Sequence, residues 1–368
     1  MNPAAWTRRQ QLERAIAFGA LVLVVVWPAV GSSYWAHSIL VQTFFYGIAA
    51  SSLIFLSAYG GMVSLAQTAL FGIAGVIIGN LATKGGPGGV SKGLHLGWDP
   101  TLALVVAILM TTAIGLLFGL VAARSAGIYF LMITLTFSVI ATYALGQVTN
   151  ISGFSGIGGI NEYTPGWIGD ILEHPNRLYY IALGVAVAVY ALIRYVIRTP
   201  FGLTLQGVRD DPIRMSSLGY SVPLHRTLAF GFAAFLASLA GILYVWWSGQ
   251  IAPGNVDLPE TINLLAMAVI GGLVRIEGAW VGAFAFIIIQ NYVRDFHVPG
   301  LSFGGTLFGG SFNTIIGIIF LVIVLVSPDG LMGLWGRIFD SRRGTRWRRA
   351  PTRRGPSSPG EAGETTAA

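Results

Sequence analysis

The chain has 368 residues, of which 54% are hydrophobic and only 10% charged, with a net charge of +7. An ordinary soluble domain carries roughly 25% charged residues, so this composition, with a mean hydropathy of +0.70, excludes a soluble enzyme. The absence of cysteine excludes disulfides, thiolate metal sites and cysteine nucleophiles. Ala15 to Thr83 contains no Asp, Glu, Lys or Arg, and one crossing takes about 20 apolar residues. Outer-membrane barrels show short alternating segments instead of such runs. The expected fold class is therefore all-α, a polytopic helical membrane protein.

Residues 1–14 form a short basic N-terminal segment with Arg8, Arg9 and Arg14. The apolar stretch after them looks like a secretion signal. It lacks a convincing small-residue cleavage site and runs almost directly into the next apolar stretch, so it is expected to stay as the first span. Charge-free windows place about ten spans, near 15–33, 39–58, 63–82, 101–123, 128–146, 178–197, 228–247, 262–274, 279–294 and 312–327. Two of them suit discontinuous helices. The window from Thr261 to Val274 is short, and 63–82 is interrupted by Ser64, Gln67 and Thr68 after Gly60 and Gly61.

Ten spans with the N-terminus inside put 18 of the 22 Lys and Arg on the cytoplasmic side, leaving Lys84, Lys92, Arg177 and Arg294 outside. That satisfies the positive-inside rule and places both termini in the cytoplasm. The transmembrane domain is expected over 15–336, with its largest cytoplasmic loop at 198–226. Residues 337–354 are arginine-rich and suit the anionic inner leaflet. Residues 355–368 have the composition of a disordered tail. Membrane lipids are thus an expected partner, and nucleic acid is not.

No Walker motif, HExxH or Cys/His cluster occurs, so no metal or cofactor is expected in this chain. The run Gly85 to Gly89 with Lys92 lacks the spacing of a phosphate-binding loop. No carboxylate sits mid-span, which argues against proton coupling and points to a partner as the energy source.

The loop 198–226 carries a helix signal. Asp210 and Asp211 precede Pro212, which marks a start. Gly219 marks a stop, with Pro223 beyond it. Between them lie the apolar residues Ile213, Met215 and Leu218. Two readings stand side by side: a connecting loop whose arginines fix orientation, and a rigid docking helix for a cytoplasmic partner.

Within the spans the polar residues are Ser64, Gln67, Thr68, Thr134, Thr136 and Asn263. Ser and Thr can bond their own helix backbone, so Gln67 and Asn263 are the stronger pathway candidates. The glycine pairs Gly60-Gly61 and Gly271-Gly272 are each followed by an aliphatic pair, Met62-Val63 and Leu273-Val274. This is either an internal repeat, placing broken helices about a pathway, or a chance match in a chain rich in Gly, Val and Leu. The pairs Gly75/Gly79, Gly115/Gly119 and Gly278/Gly282 read as helix-packing faces.

Four segments, in order, resemble the permease subunits of branched-chain amino acid ABC importers, of the type with the longer N-terminal region. They are YGGMVSLAQTALFGIAG at 59–75, TPFGLTLQGVRDDPIRMSSLGYSVPLHR and the span after it at 199–244, GQIAPGNVDLPETINLLAMAVIGGLVRIEGAWVGA at 249–283, and SPDGLMGL at 327–334. The resemblance covers roughly 39–334. It implies a bacterial-type inner-membrane transport subunit that does not hydrolyse ATP itself. ATP would be bound by separate ABC ATP-binding subunits, docked on a coupling helix with Arg209, Asp210, Asp211, Ile213, Met215, Leu218 and Gly219. A second homologous permease and an extracytoplasmic substrate-binding protein would complete the system. The substrate route would involve Gly60, Gly61, Ser64, Gln67, Thr68, Asn263, Gly271 and Gly272. The chain also departs from the family pattern. Gln67 stands where many members have His, Arg275 and Glu277 replace small or uncharged residues, and Met215-Ser216-Ser217 replaces an acidic-Ala-Ala core. The substrate thus stays open between branched-chain amino acids and urea, short amides or small organic acids. A self-sufficient secondary transporter or channel is the alternative from another class.

Overall fold

The computed structural model describes residues 24–28, 34–84, 93–148, 151–169, 175–294, 317, 321 and 330–333. The segment 1–14, the tail 337–368, the glycine run 85–89 and nearly all of the span at 312–327 lie outside these residues, as does most of the span at 15–33.

The main helices among the described residues follow in chain order: α1 (Trp35–Gly60), α2 (Gln67–Ala82), α3 (Pro100–Ala122), α4 (Ile128–Gln147) and α5 (Pro175–Arg198) come first. Then come α6 (Pro200–Asp210), α7 (Pro212–Ser217), α8 (Val222–Ser248), α9 (Leu258–Gly271) and α10 (Glu277–Arg294). Among the described residues, α1, α3, α4, α5 and α8 are long and apolar enough to cross a membrane. The chain is thus an all-α polytopic membrane protein. Among the described residues the one sheet is a two-residue antiparallel pair, β1 (Ile157–Gly158) with β2 (Gln250–Ile251), which ties two loops together.

Helix starts repeat one chemical device. Asp99, Thr199 and Asp211 each stand before a proline, and each side chain accepts a hydrogen bond from a first-turn N–H. The cap oxygen satisfies a donor that the helix leaves orphaned, and proline fits where no donor is needed.

Helices α1 and α8 form the centre, with most of their surface buried and packed on each other, and α2 packs chiefly on α8. Gly241 of α8 lies so close to α2 that a side chain there would strike the Phe71 carbonyl. Gly115 of α3 makes similar room for Ala234 of α8. Helices α3, α4 and α5 bury only a minor part of their apolar surface, as expected for elements with an outer face in lipid.

The two ends of the bundle are chemically separate. At the end assigned to the outside, the Tyr163 hydroxyl donates to the Lys84 carbonyl at 3.5 Å and β1 pairs with β2. At the other end Arg226 donates to the Ser125 carbonyl (3.3 Å), Arg194 meets Glu277, and Arg209 meets Ala58. Among the described residues, these contacts join segments that the charge pattern puts on the same side.

The span expected at 63–82 begins as helix only at Gln67, because Gly61 stops α1 in a left-handed conformation (φ 66°). A residue without Cβ adopts that conformation at little cost. At 1.5 Å per residue the 16 residues of α2 reach about 24 Å, short of a membrane core of about 30 Å. The expected span 262–274 is the helix α9, which starts earlier and ends at Gly271 before an irregular turn. Both glycine pairs thus close a helix and lead through five or six irregular residues into the next one.

Candidate functional site

The chain after Gly61 turns back along α1 and delivers Ser64, Gln67 and Thr68 into the interior. All three are buried, Gln67 completely. Ser52 of α1 donates to Gln67 Oε1 at 3.1 Å, and Gln67 Nε2 donates to Ser64 Oγ at 3.5 Å. Ser64 Oγ also accepts from the Ala66 N–H at 3.2 Å. Thr134 of α4 donates to the Leu131 carbonyl and accepts from the Leu65 N–H at 3.2 Å. Thr68 Oγ1 is buried with no partner among the described residues. An unbonded buried hydroxyl costs about 1–3 kcal/mol.

A polar core therefore lies at the start of α2, well inside the bundle. The first N–H groups of α2 face it with the positive end of the helix dipole, which favours an anionic group. Among the described residues the core is packed, with Gln67 bonded on both sides.

The structure separates the sequence candidates. Ser64, Gln67 and Thr68, with Gly60 and Gly61 at the turn, come together at the α1–α2 break. Asn263 lies elsewhere, on α9, and donates to Glu260 Oε2 one turn back at 3.4 Å. Gly271 and Gly272 lie at the far end of α9. Thr136 faces outward and bonds the Met132 carbonyl of its own helix (2.9 Å).

Four polar residues of this region escaped sequence reasoning: Ser52, Ser138, Thr142 and Thr261. Ser138 and Thr261 Oγ atoms lie 3.2 Å apart, and Thr142 donates to the Val256 carbonyl at 3.2 Å. The signal was present. Thr134, Ser138 and Thr142 recur every four residues, which aligns them on one face of α4. That face links the start of α2 to the start of α9.

The segment 198–226, expected on the cytoplasmic side, holds two helices where the sequence predicts one. The expected start at Asp210 is corrected: Asp210 ends α6, and Asp211 alone caps α7 by accepting from the Arg214 N–H at 3.0 Å. Thr199 and Pro200 give the missed helix α6 its start. Gly219 ends the turn with φ 89°, and the Tyr220 N–H closes it on the Met215 carbonyl at 3.1 Å. Met215 folds back onto Gly207 of α6. Ile213 and Leu218 are left 79% and 64% exposed, with Leu203, Tyr220 and Leu224 exposed in the same segment.

The model of the family described as "Branched-chain amino acid transport system / permease component" matches residues 36–326. The high-affinity branched-chain amino acid transport system permease protein LivM of Escherichia coli is 25% identical over 304 residues, which cover 75% of this chain and 68% of that protein. A probable branched-chain amino acid transport permease protein LivM of Methanocaldococcus jannaschii is 24% identical over 307 residues, covering 78% of this chain and 84% of that protein. A probable LivH permease of the same organism is 24% identical over 160 residues, covering 43% of this chain and 48% of that protein. No solved structure matches the chain.

Gln67→Leu tests the polar core. The change removes two side-chain hydrogen bonds, but Ser52 and Ser64 each keep a backbone partner. The expected loss of stability is about 1 kcal/mol, since the net value of one bond is about that size. Thermal unfolding of the purified subunit checks this. Uptake is expected to fall several-fold through loss of the amide, and normal uptake would assign Gln67 to packing alone.

Proposed function

The chain belongs to the family of branched-chain amino acid transport system permease components, and from that premise we propose that it is the membrane-spanning subunit of an ABC importer. It moves branched-chain amino acids across the cell membrane of a bacterial-type cell, as the inner membrane where there are two. Separate ATP-binding subunits bind and hydrolyse ATP, and this chain has no ATPase site or cofactor of its own. A second homologous permease completes the route, and an extracytoplasmic binding protein delivers the substrate.

The observation that carries the reading is α7. A helix of six residues, capped at both ends, presents Ile213 and Leu218 to water at the end assigned to the cytoplasm. Exposed aliphatic anchors on a rigid short helix suit insertion into a groove of a soluble partner. The α2 start, with its buried hydroxyls and aligned N–H groups, suits the carboxylate of an amino acid on its way through.

Reconstitution in liposomes tests the proposal. The purified chain alone is expected to show no leucine uptake, with or without an ion gradient. The complete set of subunits with binding protein is expected to take up leucine only when ATP is inside with the ATP-binding subunits. Uptake by the chain alone, driven by an ion gradient, would replace this reading with a secondary transporter.

A further inference from the structure

Three charged residues at the end assigned to the cytoplasm, Arg194, Glu277 and Arg209, reach the two helix breaks. Glu277 is the first residue of α10, directly after the irregular turn that follows Gly271-Gly272. Its carboxylate oxygen Oε1 accepts from Arg194 Nη2 at 2.7 Å and from the Tyr190 hydroxyl at 2.9 Å. Arg194 Nε in turn donates to the Tyr190 oxygen at 3.0 Å. Tyr190 stands edge-on against Trp280 of α10 (5.8 Å), and Trp280 is seated on Gly47 of α1. The break before α10 is thus fastened to the cytoplasmic end of α5.

Helix α6 follows α5 after a single residue, Thr199, and at its other end stands Arg209. Its guanidinium donates to the Ala58 carbonyl near the end of α1, and its stem lies against Gly61, which starts the other break. The same side chain pairs with Asp210 at 2.7 Å. Tyr59, between these points, lies within electrostatic reach of Glu277, Arg194 and Arg209 together. Helix α6 is about 16 Å long at 1.5 Å per residue and leads directly into α7. The stretch from α5 to α7 therefore carries the exposed docking helix and touches both breaks, through Arg194 at one and Arg209 at the other.

We propose that Arg194, Glu277 and Arg209 are positioning residues that clamp both helix breaks to the continuous stretch from α5 to α7, so that one displacement of that stretch moves the two breaks together. Stability does not explain the Arg194–Glu277 pair. Its side chains are 48% and 35% exposed, and ion pairs that open to water contribute little to folding. Contacts of this kind matter where they join two elements whose arrangement changes. The inference rests on the reading of the chain as an ATP-driven permease, and it deepens that reading by naming the residues that pass the movement on.

The test uses the complete transporter in liposomes and measures two quantities, leucine taken up and ATP hydrolysed. Glu277→Gln, Arg194→Met and Arg209→Met are each expected to assemble with the partner subunits. Each is expected to lower the leucine moved per ATP by roughly fivefold or more, the lower bound of ordinary coupling between sites. The double exchange Arg194→Glu with Glu277→Arg restores the pair with reversed polarity and is expected to recover most of the ratio. Arg209→Lys, which keeps a cationic donor, is expected to recover part. An unchanged ratio in the single variants, or a loss that the exchanged pair does not recover, overturns the clamp. Leu218→Asp run in parallel separates the two claims. If it uncouples the transporter while the clamp variants do not, the clamp alone falls. If it also has no effect, the docking reading falls with it.

Discussion

Leu218→Asp is expected to abolish ATP-driven uptake while leaving the subunit inserted and folded. Leu218 is 64% exposed at the end of α7, so a carboxylate there costs the isolated subunit almost nothing. In the docked state the balance reverses. Burying a leucine against a partner is worth about 1.5–3 kcal/mol, and a carboxylate in the same groove loses that and adds its own desolvation cost. A total above about 3 kcal/mol weakens docking more than a hundredfold. Ile213→Asp is expected to act alike, since Ile213 is still more exposed. Gly219→Val acts on the same surface from another direction. Its φ of 89° leaves open space around a side chain but strains the backbone, costing about 1 kcal/mol or more. The readouts are co-purification of the ATP-binding subunits and substrate-stimulated ATP hydrolysis. If both survive Leu218→Asp unchanged, α7 is a linker.

Local signals in the sequence place most of the helices, because transfer into lipid acts residue by residue along the chain. The charge-free windows at 101–123 and 128–146 end within a residue or two of α3 and α4. The polar interruption at Ser64 and Gln67, next to a glycine pair, marks the break before α2 for the same local reason. The second helix of the segment 198–226 was also legible, since Asp211, Pro212 and Gly219 form a start and a stop. Helix α6 carried an equivalent start in Thr199 and Pro200, but its glycines and polar residues read as a connecting loop. Partners far apart in the chain left no local trace. Ser138 meets Thr261 across 123 positions, and Arg194 meets Glu277 across 83. Asn263 shows the reverse limit. Its amide looked difficult to satisfy within a span, yet Glu260 one turn away meets it. Among the polar residues within spans, type alone separates those that join a core from those that bond their own helix only in part. Thr134 and Thr136 are two residues apart and face opposite surroundings.

Gly271→Val is expected to be among the most damaging single changes in the membrane domain. Helices α9 and α10 cross with their backbones in contact. A Cβ on Gly271 would run into the Gly278 carbonyl, and one on Gly282 into the Met267 carbonyl. A Cβ on Gly278 would meet the Gly271 carbonyl oxygen at 2.7 Å. The obstacle in each case is backbone, which cannot swing aside as a flexible side chain does. In lipid there is no water-driven gain to offset a lost contact, so close packing of small residues is a main source of helix association. Overpacking a core costs about 1–3 kcal/mol where neighbours can shift. Here the two helices must separate, so a loss at or above the top of that range is expected. The same separation would shift Glu277 and the turn before it. Folded yield in the membrane and the thermal unfolding midpoint in detergent measure the effect. Gly184→Ala on α5 is the control, because an added methyl group there meets nothing within 4 Å. A helix interior favours Ala over Gly by up to about 1 kcal/mol, so that variant is expected to match or slightly exceed the parent. Equal midpoints for Gly271→Val and Gly184→Ala would show that α9 and α10 do not touch through their glycines, and that the turn after Gly272 is held by something other than this crossing.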